Sequence, residues 1–295
     1  MKKLVVILGP TAVGKTKVSI EIAKHYNFEI INGDSVAIYK KLDIGSAKPT
    51  KEEMDGVKHY LIDIKEPSEN YSVYDFQLDA RKIIDNSNDI KLISGGTGLY
   101  ISSVIYNYEF LASERKYTDE DKYESYTNEE LYNLLLSKDP NLDQTKIHPN
   151  NRKRVIRAIE VIDETNKSIH SFNKKNERIY DCYIIYLNMD RAKLYERINK
   201  RVDMMIDMGL EDEVKSLYNL GIKPKAIGYQ EFIPYFQGKS SLDEVVEKIK
   251  LNTRHLAKRQ ETWFKHQMDT HFYNVDPDNI DEVINNIIND LDRWL

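Results

Sequence analysis

The feature that most narrows the folding options lies at the start of the chain. Lys2-Lys3-Leu4-Val5-Val6-Ile7-Leu8 runs without a spacer into Gly9-Pro10-Thr11-Ala12-Val13-Gly14-Lys15-Thr16. A continuous apolar run, rather than an alternating one, suits a strand buried on both faces of a parallel sheet. The octapeptide fits G-x-x-x-x-G-K-[ST], and from Lys15 to about His25 the residues Val18, Ile22 and the Ile20–Ala23 pair recur at helical spacing. Strand, loop and helix thus follow in the order this motif requires. The glycines let successive backbone N–H groups face one anion, and the helix N-terminus adds its partial positive charge. Lys15 supplies a mobile cation, and the Thr16 hydroxyl suits a Mg²⁺ ion. The loop specifies a di- or triphosphate bound with magnesium without saying which one.

The same logic extends along the chain. Phe28-Glu29-Ile30-Ile31-Asn32 reads as a second strand ending at Gly33 and Asp34, His59–Ile64 as a third and Asp89–Ser94 as a fourth. Between the last two, Ser72 opens a predicted helix with Val73, Phe76, Leu78, Ile83 and Ile84 on its apolar side. From about residue 113 the pattern changes to charged, tyrosine-rich sequence followed by helices around residues 131–136 and 154–162. A strand returns at Asp181–Met189, then an amphipathic helix from Leu194 stopped by Gly209, and the remainder reads as helical. The expected fold class is α/β: a P-loop NTPase-like, mostly parallel sheet with flanking helices and a helical insertion domain. The expected organisation is a first part of the core at 1–112, an insertion at 113–178, and a return strand with C-terminal helices at 179–295.

Composition removes several classes. The formal net charge of −5 argues against gripping nucleic acid through global charge, while leaving room for local basic surfaces. The single cysteine, Cys182, excludes a disulfide framework and a multi-cysteine zinc site. No run reaches the roughly 18 apolar residues of a membrane helix. The N-terminal lysines and apolar run superficially resemble a signal peptide, but the run is short and enters a glycine loop, so a buried strand in a cytoplasmic protein is expected.

The stretch after the second strand is the most specific. Asp34-Ser35-Val36-Ala37-Ile38-Tyr39-Lys40 continues to Asp43-Ile44-Gly45-Ser46-Ala47-Lys48-Pro49. Together with the glycine loop, the GGTGLY of residues 95–100, residues 147–161 and residues 256–264, it is similar to the ordered motifs of the tRNA dimethylallyltransferase family. The resemblance spreads from residue 9 to residue 264. It implies transfer of a dimethylallyl group from dimethylallyl diphosphate to the N6 amine of the adenosine 3′ to the anticodon, with Mg²⁺ as cofactor and a tRNA anticodon stem-loop as partner. A monomer is expected.

By itself, Asp34 at the carboxyl end of a strand could bind Mg²⁺, take a proton, or cap the short helix after it. The resemblance implies that Asp34 takes a proton from the attacking adenine amine and that Thr11 lies near the same groups. It also points to Arg201 as the arginine on the departing diphosphate, one turn beyond Arg197; residues Gly9 to Thr16 would cradle that group. For RNA, the resemblance implies contacts from Asp34, Ser35, Val36, Ala37, Thr97 and Lys153–Arg157, including Arg154. Arg115 is the nearest candidate for a further arginine used by relatives. Many relatives carry glutamine where Ala37 stands, which puts one base contact in doubt. Read as residues, Lys258, Arg259 and Gln260 beside Trp263 and Phe264 suit phosphate contact with base stacking. Met204, Met205 and Met208 could line a slot for an apolar tail, but a methionine stripe is more often plain core.

Three alternatives share part of this pattern. A small-molecule or nucleotide kinase would keep the loop and Mg²⁺ but needs a grip on the nucleotide base, for which there is no separate signature. An adenylate isopentenyltransferase fits the chemistry, yet the basic helices and insertion favour a large RNA. A non-catalytic RNA-binding module would have little use for an intact loop with Asp34.

Overall fold

The computed structural model describes residues 1–108, 110, 121–171 and 177–295. Arg115 and the stretch 113–120 of the insertion lie outside the described residues. Among the described residues, six strands form one parallel sheet in the order β3-β2-β4-β1-β5-β6: β1 (Lys3–Leu8), β2 (Glu29–Asn32), β3 (His59–Tyr60), β4 (Lys91–Gly95), β5 (Asp181–Asn188) and β6 (His271–Asn274). The helices are α1 (Lys15–Tyr26), α2 (Lys51–Met54), α3 (Val73–Asp85), α4 (Gly98–Ile105), α5 (Asn128–Lys138), α6 (Arg152–Thr165), α7 (Arg191–Asp207), α8 (Leu210–Asn219), α9 (Phe232–Phe236), α10 (Leu242–Gln267) and α11 (Ile280–Trp294).

The chain divides into two compact units, one of residues Met1–Ile105 with Arg178–Leu295 and one of Tyr106–Glu177. In the first, the apolar run of β1 sits at the centre of the sheet, with Leu4 through Leu8 fully buried. Each such side chain contributes roughly 1.5–3 kcal/mol when removed from water. Sheet, α1, α7 and α11 share one apolar layer through Ile7, Ile22, Ile185, Ile198 and Ile287. Leu42, Leu217, Tyr229, Phe232 and Ile249 form another around α8, α9 and α10. The second unit has its own core where α5 and α6 meet, built on Leu131, Leu135, Val155, Ile156 and Ile159.

Three expectations are corrected. The third strand is two residues long, because Leu61 (φ 61°) and Asp63 (φ 55°) turn the backbone into the left-handed region. In α3 the Ser72–Asp75 capping box is present, but Leu78 is exposed, and Phe76, Gln77, Ala80 and Ile84 face inward. The C-terminal part is not wholly helical: β6 pairs with β5 from Ile185↔His271 to Asn188↔Asn274. Its residues are mostly exposed at a sheet edge, so they carry no buried periodicity that would mark a strand.

Candidate active site

The carboxyl ends of β1, β2 and β4 bring the loop residues together, where open parallel sheets bind ligands. Gly14 (φ 110°) opens α1 in a backbone conformation that other residues rarely adopt. A Cβ at Gly9 would lie 2.7 Å from the Leu187 carbonyl oxygen, so only glycine lets the loop leave β1 this close to β5. The Lys15 ammonium folds over the loop and donates to the carbonyls of Gly9 (3.0 Å) and Pro10 (2.8 Å). Burial pulls its pKa down to about 8, with the Asp34 charge opposing and Arg201 reinforcing that shift. The Thr16 side chain is exposed at the start of α1.

Asp34 follows β2 in a turn held by its neighbours. Its N–H donates to Asn32 Oδ1 (3.1 Å), and its own Oδ1 accepts from the Val36 N–H (2.8 Å). Asn32, which is buried, also donates to the Asp34 and Leu61 carbonyls at 3.0 and 2.9 Å. Thr97 joins the same cluster from the loop after β4: its hydroxyl accepts from the Ser35 N–H at 3.1 Å, and its N–H donates to the Gly33 carbonyl at 3.1 Å. Ser35 and Val36 are half-buried beside Asp34, whereas Ala37 is 2% exposed and offers no side-chain surface to a ligand.

Two arginines of α7 approach from the other side. Arg197 Nε donates to the Ala12 carbonyl (2.9 Å), at the loop residue with φ 65°. Arg201 Nη2 donates to the Ala47 carbonyl at 3.2 Å, within the electrostatic reach of both Asp34 and Lys15. Burial lowers the Arg201 pKa, and the charges of Asp34 and Glu53 oppose this. A guanidinium stays charged under such a shift, so the centre holds three cations, Lys15, Arg197 and Arg201, and the Asp34 carboxylate around the glycine loop.

Helix α10 supplies a link that the residue pattern did not reveal. The Gln260 side chain accepts the Thr11 N–H (2.9 Å) and donates to the Gly96 carbonyl (3.0 Å), so one amide joins the phosphate loop to the β4 turn. A Cβ at Gly96 would overlap the Gln260 amide, and one at Gly98 would overlap the Trp263 ring. Gly96 and Gly98 in GGTG are therefore the sequence trace of this close helix. Lys258 and Arg259 of the same predicted trio face solvent instead. Met204 and Met208 are 60% and 62% exposed, and Met205 packs beside the α8–α10 apolar layer.

In the second unit, α6 starts with Arg152, Lys153 and Arg154, with no acidic residue in its first turn. Arg152 is structural, its guanidinium donating to the carbonyls of Tyr123 (2.5 Å) and Tyr126 (2.8 Å). Lys153 and Arg154 are exposed, and Arg157 lies 3.6 Å from Glu160. Cations at the positive end of a helix are disfavoured by its dipole, typically by about 0.3–1 kcal/mol each at an exposed position. Among the described residues, no helix is long and apolar enough to cross a membrane, and no group of three or more His, Cys, Asp or Glu could hold a metal.

The family described as IPP transferase matches residues 37–267, and that described as isopentenyl transferase matches residues 2–70. The tRNA dimethylallyltransferase of Anoxybacillus flavithermus is 48% identical, over 95% of this chain and 93% of its own. The crystal structure of tRNA delta(2)-isopentenylpyrophosphate transferase from Staphylococcus epidermidis is similar over 100% of both chains, with 42% identity and a TM-score of 0.74. A eukaryotic dimethylallyltransferase acting on tRNA matches 98% of this chain and 78% of its own, at 30% identity and a TM-score of 0.83.

Proposed function

The chain belongs to the tRNA dimethylallyltransferase (IPP transferase) family, and from that premise we propose how its residues divide the reaction. The enzyme transfers the dimethylallyl group of dimethylallyl diphosphate to tRNA. The acceptor is the N6 amine of the adenosine 3′ to the anticodon. Its lone pair forms the new bond to C1 of the allyl group, the C1–O bond breaks, and diphosphate leaves with the bonding electrons. Asp34 takes the proton lost by nitrogen. Since Oδ1 already accepts from the Val36 N–H, Oδ2 is the oxygen for this task.

The observation that carries this division is the meeting of one carboxylate, Asp34, with Lys15 and Arg201 at the phosphate loop. The two cations and the loop N–H groups stabilise charge growing on the departing oxygens. Lys15 now spends two donors on Gly9 and Pro10 and is free to turn to a stronger anionic acceptor. Thr16 is the residue that would hold Mg²⁺, with diphosphate oxygens and water completing the shell; a lone hydroxyl suits an ion that keeps most of its water. When bound, Mg²⁺ would neutralise part of the diphosphate charge.

An adenine amine reaches such a site only by leaving its stack. We assign the backbone around Asp34–Val36 and Thr97 to the extruded base, and the exposed cations Lys153 and Arg154, with Lys258 and Arg259, to RNA phosphates. The monomer is taken as the working unit. We place the reaction in the cytoplasm. The decisive experiment offers radiolabelled dimethylallyl diphosphate and an unmodified anticodon stem-loop to the wild type and to Asp34→Asn. Label should enter RNA and fall by about 10²-fold or more in the variant, with diphosphate binding retained. A variant keeping more than a tenth of the activity would remove Asp34 from the role of base.

A further inference from the structure

We infer that Glu213, on α8, is a positioning residue for the reaction: it fixes the loop Asp43–Ala47, and through that loop the orientation of Arg201. The inference rests on the assignment of Arg201 to the departing diphosphate. One Glu213 oxygen accepts the N–H groups of Asp43 (3.0 Å) and Ile44 (2.8 Å). The other accepts the Gly45 N–H (3.1 Å) and the Tyr229 hydroxyl (2.7 Å). Three consecutive backbone donors thus converge on one carboxylate, as they would on a bound anion.

The rest of the loop is locked to match. Gly45 lies against the fully buried Tyr229 ring, where a Cβ would come within 2.6 Å of the ring atoms. Ser46 Oγ donates back to the Leu42 carbonyl (2.5 Å), and the buried Lys48 ammonium pairs with Asp43 (2.5 Å) and with Asp63. Ala47 then stands in the left-handed region (φ 49°) with its carbonyl accepting from Arg201 Nη2. Arg201 and Glu213 belong to consecutive helices, α7 and α8, separated by the single turn at Gly209. One helical corner therefore grips both ends of the same loop, its amides through Glu213 and its last carbonyl through Arg201. A guanidinium can address diphosphate with a fixed geometry only if the carbonyl holding its other edge does not wander. No charge of Glu213 need reach the substrate for this.

A double-mutant cycle on the full chain tests the coupling, with transfer to an anticodon stem-loop as the readout. Glu213→Gln replaces one accepting oxygen by an NH₂ group and should lower kcat about tenfold or more, with the KM for RNA within about twofold of wild type. Tyr229→Phe, a milder change, should lower kcat in the same direction by a smaller factor. In an Arg201→Lys background, the Glu213→Gln effect should shrink to less than about twofold, because the arginine it positions is gone. An equal loss in both backgrounds would overturn the inference, as would full activity in Glu213→Gln with only a lower melting temperature. Arg201→Lys retaining wild-type kcat would instead overturn the assignment of Arg201 itself, which separates the two failures.

Discussion

Helices α6 and α7 carry the same kind of residue under opposite constraints. On α7, Arg197 and Arg201 are half-buried, and each donates to a loop carbonyl, at Ala12 and Ala47. On α6, Lys153 and Arg154 are exposed at the helix end whose dipole repels them. A cation held in a low-dielectric site by a directed hydrogen bond acts on charge at a defined point and is poorly screened. A cation on a solvated surface has neither advantage, but it can trade counterions with a phosphate backbone. Under the proposed assignment, position on the helix, more than residue type, separates chemistry from grip.

The largest test of this contrast is Arg201→Ala. It should lower kcat by about 10²–10³-fold, the usual scale for removing one group that stabilises a developing oxyanion, while RNA affinity changes little. A fall in RNA affinity with unchanged kcat would break the contrast. Next, the double substitution Lys153→Ala/Arg154→Ala should weaken stem-loop binding about tenfold near 0.1 M salt and leave kcat at saturating RNA unchanged. The slope of log K against log salt should become shallower by about 0.7 for each phosphate that is no longer neutralised.

Acidity sharpens the buried side further. The Lys15 pKa of about 8 lies below its ordinary value of 10.5, so between those pH values the unfolded chain binds more protons than the folded one. Stability without ligand should therefore rise with pH through that window. Diphosphate binding should weaken over the same range, by no more than about tenfold per pH unit, because the bound anion needs the charged ammonium. Chemical denaturation with and without diphosphate, at about pH 7.5 and about pH 9.5, reads both signs together. The smallest effect belongs to α6: Arg154→Gln should raise the stability of the folded chain by about 0.3–0.5 kcal/mol while reducing RNA affinity. A variant that is less stable would mean that Arg154 serves the fold rather than the ligand.

Much of this architecture was legible because its signals are local. The apolar run of β1, the glycine loop and the helical spacing of α1 follow one another within about two dozen residues, and the structure has them in that order. Ser72 and Asp75 announce the start of α3 by a capping exchange between residues three apart. By contrast, β6 is an exposed edge strand whose pairing partner, β5, lies more than eighty residues earlier, and nothing in its own four residues demands a strand. The short β3 follows from left-handed residues at Leu61 and Asp63 that the apolar pattern did not mark.

At the active centre the division is the same. The sequence by itself determined the phosphate loop, the place of Asp34 at a strand end and the chain's family motifs, since each is a contiguous run whose chemistry needs neighbours in order. Only the tertiary structure decided which side chains hold that run in shape. Gln260 reaches Thr11 across 249 residues and Gly96 across 164, and Glu213 reaches the Asp43 loop across 170. An amide or carboxylate on a helix looks like any solvated polar residue until packing fixes where the helix lies. Sequence spacing determines which groups share a turn or a face, but hydrogen bonds form between groups that the fold brings within about 3 Å of each other.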